Sequence, residues 1–251
     1  AENRVKSEYR IALLRLSRFC AALPRKTCFG ICIFGGNHMS FASLALCICV
    51  AAGSYLAGCC NGALITSHLF CHDDVRKYGS HNAGLTNFYR VYGGKYAACV
   101  IAVDMLKALL AVTLGAAVFG QYLGQRLVGE YFSAFFCEVG HIFPAFYSFK
   151  GGKGILCSGA LLLLLDWRVA AIGWGLFLLL WLTTRYVSLG SVSAAASFPV
   201  STAVFYRDEP AAIVLSVLLA ALVIWAHRSN IARLLHGTES RFQWHRDRSQ
   251  P

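Results

Sequence analysis

Seven apolar runs divide the chain, at 40–57, 93–119, 128–146, 154–165, 168–184, 188–205 and 210–227. Short polar stretches separate them, and two of these are rich in glycine. A helix needs about 20 residues, within a usual range of about 17–25, to cross the hydrocarbon core of a bilayer. Six runs approach or exceed that length. The fourth is short, and is expected to begin inside the preceding glycine stretch or to span only partly. The pattern predicts an all-α, polytopic integral membrane protein with about seven transmembrane helices, six and eight being the neighbouring counts.

Composition strengthens this reading. Of 251 residues, 57% are hydrophobic and only 14% charged, against about 25% charged in an ordinary soluble domain. The net charge of +11 points to anionic lipid or anionic substrates. Nucleic acid is excluded as a partner because the basic residues sit at the ends of apolar runs. Several of the 11 cysteines, Cys47, Cys49 and Cys99 among them, lie within apolar runs, with no CxxC pair and no Cys/His zinc spacing. They are expected to be small buried hydrophobes, and no metal site is expected.

Charge also orients the chain. If the helices alternate, segments 70–92, 147–153, 185–187 and 228–251 share one face and carry three, two, one and five Lys/Arg. The opposite loops carry Arg126, Arg168 and Arg207. The richer face is expected to be cytoplasmic. Residues 1–38, with seven Lys/Arg, conflict with that alternation. They read as a basic N-terminal extension, expected to be non-native upstream sequence because the first methionine is Met39; an amphipathic surface helix around Tyr9 to Phe19 is the alternative. Residues 39–242 are then one membrane domain, followed by a polar tail at 243–251.

The basic face holds both glycine stretches. Gly79, Ser80, Asn82, Gly84, Thr86 and Asn87 precede Arg90, and Lys150, Gly151, Gly152, Lys153 and Gly154 form the second. Glycines let backbone N–H groups converge, helix N-termini add partial positive charge, and hydroxyl, amide and cationic side chains complete a set suited to phosphate. Neither stretch is a Walker A loop, since Tyr147 stands where its first glycine belongs and Gly154 follows Lys153. Asp104 and Lys107 lie three apart inside an apolar run, where a mutual ion pair is the favoured reading. His68 and Asp73 have an H-x4-D spacing that chance accounts for.

Four stretches, GSHNAGLTNFYR (79–90), GHIFPAFYSFKGGKG (140–154), RYVSLGS (185–191) and HRSNIARLLHGTE (227–239), resemble the successive motifs of the bacterial acyl-phosphate:glycerol-3-phosphate acyltransferases, the PlsY type. The resemblance covers about residues 40 to 242. It implies transfer of a fatty acyl group from acyl phosphate to the sn-1 hydroxyl of glycerol 3-phosphate, giving lysophosphatidic acid. It further implies no acyl-CoA, metal or cofactor, a monomer in the inner membrane, and a site open to the cytoplasm. Carried over by position, Ser80, Arg90, Lys153, His227 and Asn230 are the implied catalytic residues. Gly79, Asn82, Gly84, Thr86, Asn87, Lys150, Gly151, Gly152, Gly154, Ser188 and Ser191 are implied to bind substrate phosphate. Arg76, Asp104, Lys107, His141, Arg185 and Glu239 support them, and Arg233 belongs to the last motif.

The chain departs from the family pattern at Gly58-Cys59-Cys60-Asn61, where Gly-Ser-Ile-Pro is usual, at His81 in place of Gly and at Leu85 in place of Ala. A left-handed backbone at position 81 would cost roughly 1–2 kcal/mol in a non-glycine residue. The proton acceptor is open among His141, His227 and the substrate's own phosphate oxygens, with helix packing favoured for His141. A transporter of anionic solutes, and a family member that binds lipid phosphate without turnover, are the competing functions.

Overall fold

The computed structural model describes residues 40–242; the expected basic extension at 1–38 and polar tail at 243–251 lie outside the described residues. Ten α-helices follow one another among them: α1 (Phe41–Cys59), α2 (Gly62–Cys71), α3 (Leu85–Tyr92), α4 (Ala97–Leu123), α5 (Arg126–Ile142), α6 (Ile155–Leu165), α7 (Trp167–Thr184), α8 (Val187–Phe205), α9 (Pro210–Ala226) and α10 (Arg228–Leu235). Every apolar run of the sequence is helical, and no strand is present among the described residues.

The expected count of seven spans is not reached on length and composition. Among the described residues, four stretches are long and apolar enough to cross a membrane: 41–71, α4, α7 and α8, with α9 and α10 a fifth if their 60° bend lies within one span. Helix α6, at 11 residues, extends only about 16 Å at 1.5 Å per residue, against about 30 Å of hydrocarbon. Helix α5 carries Arg126, Glu130, Glu138 and His141 within 17 residues.

Helix boundaries have local causes. Gly124 ends α4 in the left-handed conformation, and its N–H reaches the Phe119 carbonyl. The Asp166 carboxylate accepts from the Arg168 N–H at 2.7 Å and caps α7. Pro210 opens α9 at a first-turn position that needs no donor. The break between α1 and α2 falls within one sequence departure. Asn61 caps α2 by accepting from the Leu64 N–H at 3.0 Å.

Helix α4 packs on α5, α6 and α2; α8 packs on α7 and α9, and α9 on α5. At the α4–α5 crossing Gly115 and Gly129 face one another, and a Cβ on either would strike the other's carbonyl oxygen. Small residues allow this close approach where lipid offers no hydrophobic drive for helix pairing.

Candidate active site

The first glycine stretch is built around Asn87. This buried amide donates to the carbonyls of Val75 and Tyr78, both at 3.1 Å, and accepts from the Ser80 N–H at 2.8 Å. Gly79 has a φ of +61°, and a side chain there would strike the side-chain oxygen Oδ1 of Asn87. Asn87 and Gly79 thus shape the loop, and Asn87 also borders the cavity described below. His81 does adopt a left-handed φ of 57°, and its Nδ1 donates to the Arg76 carbonyl at 2.9 Å. Asn61 donates to the Ala83 carbonyl at 3.1 Å, tying the α1–α2 break to this loop.

The second glycine stretch differs from the expected open cradle. The N–H groups of Gly151 and Gly152 donate back to Ile142 and His141 at 3.0 and 3.2 Å. A Cβ on either glycine would collide with His141. These glycines let the loop fold onto the end of α5. Arg76 joins the two loops: its Nη1 donates to the carbonyls of Tyr147 and Lys150 at 3.0 and 2.8 Å, and the same guanidinium pairs with Asp74. Lys150 borders a separate groove with Arg228. Gly154, at φ +85°, opens α6 and directs Lys153 toward the interior.

A cavity of about 460 Å³ lies where the motif loops meet. Its polar end carries Ser80, Asn82, Gly84, Thr86 and Arg90 from the first loop and α3. Lys153 and Gly154 enter from the second, Ser188 and Ser191 from α8, and His227, Asn230, Arg233 and Glu239 from the last motif. The four motifs, separated by up to 148 positions between Gly79 and His227, thus line one space. Arg76, Lys150 and Arg185 lie outside its lining. Arg185 ends α7 in a left-handed turn and accepts from the Phe242 N–H at 2.8 Å.

The polar end is organised as a relay. Lys153 Nζ donates to Asn230 Oδ1, and Asn230 Nδ2 donates to Glu239 at 2.7 Å. The same carboxylate accepts from Ser188 Oγ at 2.8 Å and Arg233 Nε at 2.7 Å. Burial, with Arg233 nearby, pulls the Lys153 ammonium down to about 8, against the attraction of Glu239. Burial pushes the Glu239 carboxyl up, but its donors Asn230, Ser188 and Arg233 outweigh that and hold it below the usual carboxylate range. Ser191 Oγ donates to the Val187 carbonyl at 2.8 Å. Nδ1 of the buried His227 donates to the Val223 carbonyl at 2.8 Å, which leaves Nε2 as the ring's acceptor.

Asp104 and Lys107 form the favoured ion pair, at 2.7 Å and almost fully buried. Lys107 also reaches the carbonyls of Gly58 and Cys60, both at 3.3 Å, and lies 2.6 Å from His141 Nδ1. An ammonium only donates, so this nitrogen of His141 accepts and is occupied. His141 also borders the cavity. The pair anchors the broken end of α1 against α4 and α5. His68 and Asp73 bond elsewhere, to Leu64 and to Lys77 and Tyr78, and neither borders the cavity.

Two features escaped sequence reasoning. Glu138 is fully buried beneath Gly154 with neither carboxylate oxygen hydrogen-bonded; its place three residues before the His141 motif residue was the available signal. The other is an aromatic wall: Phe242 stacks on Tyr89 with centroids 6.0 Å apart and meets Trp181 edge-on at 5.5 Å.

Beyond the polar end the cavity is lined by Leu162, Trp174, Phe177, Phe198, Leu219 and Val223. The fold and this site define a helical membrane protein whose cationic, hydrogen-bonding end opens into an apolar pocket. Residues 47–237 match the family model for glycerol-3-phosphate acyltransferase, and the chain belongs to that family.

The glycerol-3-phosphate acyltransferase of Thermoanaerobacter sp. (strain X514) is 40% identical over 188 residues, covering 75% of this chain and 91% of the relative. That of Finegoldia magna is 40% identical over 187 residues, covering 74% and 91%. The fold is similar to the crystal structure of PlsY (YgiH), an integral membrane glycerol 3-phosphate acyltransferase. The match to its glycerol 3-phosphate form has a TM-score of 0.70 and 29% identity, covering 78% of this chain and 96% of that one. The match to its lysophosphatidic acid form has a TM-score of 0.68 and 28% identity.

Proposed function

We propose that the protein transfers a fatty acyl group from acyl phosphate to the sn-1 hydroxyl of glycerol 3-phosphate, releasing phosphate and lysophosphatidic acid. The observation that carries this reading is the union, in one cavity, of the Lys153–Asn230–Glu239 relay with an apolar pocket. A donor with an anionic head and a long chain has both ends accommodated there.

The hydroxyl oxygen attacks the acyl carbonyl, the carbonyl carbon–oxygen bond to phosphate breaks, and the phosphate departs with its electron pair. Lys153, Arg90, Ser80 and Thr86 neutralise and hold the two phosphates, which would otherwise repel one another. Positioning of this kind can supply much of the barrier reduction for an already activated donor. His227 is placed to take the hydroxyl proton at Nε2, with the departing phosphate as the alternative acceptor. Asn230 and Glu239 orient Lys153.

In the same reading the protein acts as a monomer in the bacterial inner membrane. The loops bearing Arg76, Lys77, Arg90, Lys150 and Lys153 face the cytoplasm, as the charge bias favours.

The test uses purified protein with glycerol 3-phosphate and palmitoyl phosphate, palmitoyl-CoA as the parallel donor, and Lys153→Ala as control. Lysophosphatidic acid from the acyl phosphate alone, lost in the variant, is the expected result. Binding of glycerol 3-phosphate with no product from either donor would overturn it in favour of a binding protein without turnover.

A further inference from the structure

The depth of the apolar part of the cavity can be followed along its helices. Along α8 the lining runs from Ser188 to Phe198, ten residues or about 15 Å at 1.5 Å per residue. Along α9 it runs from His227 back to Leu219, about 12 Å on the same rise. On α7 the deepest lining residues are Gly173 and Trp174, about 15 Å from the Thr184 end of that helix.

Trp174 is held in place from both sides. Its indole Nε1 donates to the Gly159 carbonyl on α6 at 3.2 Å, and a Cβ at Gly159 would stand only 2.7 Å from a ring carbon. The indole therefore lies directly on the α6 backbone where a side chain is missing. From the other side Phe177 meets it edge-on, with centroids 6.0 Å apart. Gly159 and Trp174 both border the cavity, so an added methyl at 159, or a lost ring at 174, changes the room for a chain directly.

We propose that Trp174, seated on Gly159, sets the length of acyl chain that the cavity accepts. This rests on the acyltransferase reading above. On α6 the indole covers Gly159, five residues or about 8 Å past Gly154, and the lining continues to Leu162; a chain entering from the polar end meets the ring there, and further methylenes must pass it. One methylene gained or lost in an apolar pocket changes discrimination about 10–200-fold, so a single ring narrowing the pocket is sufficient to define a preference.

The experiment measures binding of dodecyl, tetradecyl and hexadecyl phosphate, which cannot react, to wild type, Trp174→Ala and Gly159→Ala in nanodiscs of fixed lipid. Ratios of Kd between chain lengths cancel the fraction of folded protein, and comparing each variant's ratio with that of wild type in the same lipid cancels the chain-length dependence of partition. For Trp174→Ala the preference is expected to move toward the longer chain by about tenfold, and for Gly159→Ala toward the shorter. Ratios in both variants within about twofold of wild type, or alkyl phosphates that bind without saturation, would overturn the proposal.

A parallel arm measures lysophosphatidic acid formed by wild type from the matching acyl phosphates. No product there, with the binding ratios shifted as expected, would sink the acyltransferase reading and leave the role of Trp174 standing.

Discussion

Lys153 donates to the side-chain carbonyl of Asn230, and Asn230 turns its amide hydrogens to Glu239. The ammonium is thus aimed by a residue 77 positions away in sequence, itself oriented by a carboxylate that also gathers Ser188 and Arg233. Removing a charge-assisted donor from a preorganised site costs about 10²–10³ in turnover. Lys153→Ala is expected to lose at least that much in kcat, while Glu239→Gln, which keeps shape and loses charge, loses less. Steady-state rates of phosphate release at saturating glycerol 3-phosphate check the order.

Lys153 also predicts a pH profile. Burial favours the neutral amine and brings its pKa to about 8, so the cationic form dominates below that pH and is lost as pH rises through it. If the cation holds substrate phosphate, kcat/KM falls above about pH 8 in the wild type. In Lys153→Arg the guanidinium keeps its charge, and the fall from this group disappears. A profile that is the same in both proteins would remove Lys153 as its cause.

Asp104 and Lys107 lead to a stability prediction. Replacing Asp104 by Asn leaves the Lys107 ammonium buried without its counter-charge, and breaking such a pair from one side costs about 3–5 kcal/mol. Asp104→Asn is expected to unfold well below wild type in thermal melts in detergent. Asp104→Asn with Lys107→Met is expected to recover part of that loss, because the stranded charge is gone.

His81 tests the departure in the first motif. Its left-handed backbone costs roughly 1–2 kcal/mol, and its ring recovers one hydrogen bond to Arg76, typically worth about 0.5–1.5 kcal/mol. His81→Ala keeps the strain and loses the bond, so it is expected to be less stable than both wild type and His81→Gly. Melting temperatures of the three proteins decide.

Much of this was legible in the sequence, for identifiable reasons. Apolar periodicity located every long helix because a bilayer demands one continuous physical property over many residues. The motif order grouped Ser80, Thr86, Arg90, Lys153, Ser188, His227 and Asn230, and all seven line the cavity. The functions of the glycines were not legible. Gly151 and Gly152 lack side chains because His141 packs against them, and in a sequence that requirement looks the same as the need to expose N–H groups to phosphate. The loop-shaping bonds of Asn87 were hidden similarly, since an amide that shapes a loop and one that only faces a cavity are written with the same letter. The α1–α2 break carried a weak signal, Asn61 between Gly58 and Gly62, which an N-cap reading would have found.

The hub of the polar end, Glu239, comes after all ten described helices. During synthesis the helices through α9 can be inserted and paired while Lys153 still lacks both Asn230 and its carboxylate. Assembly of the polar end is therefore late relative to the helices: a ribosome must deliver the chain through Glu239 before the relay exists, and a product cut short after α9 would carry Lys153 without either of its partners.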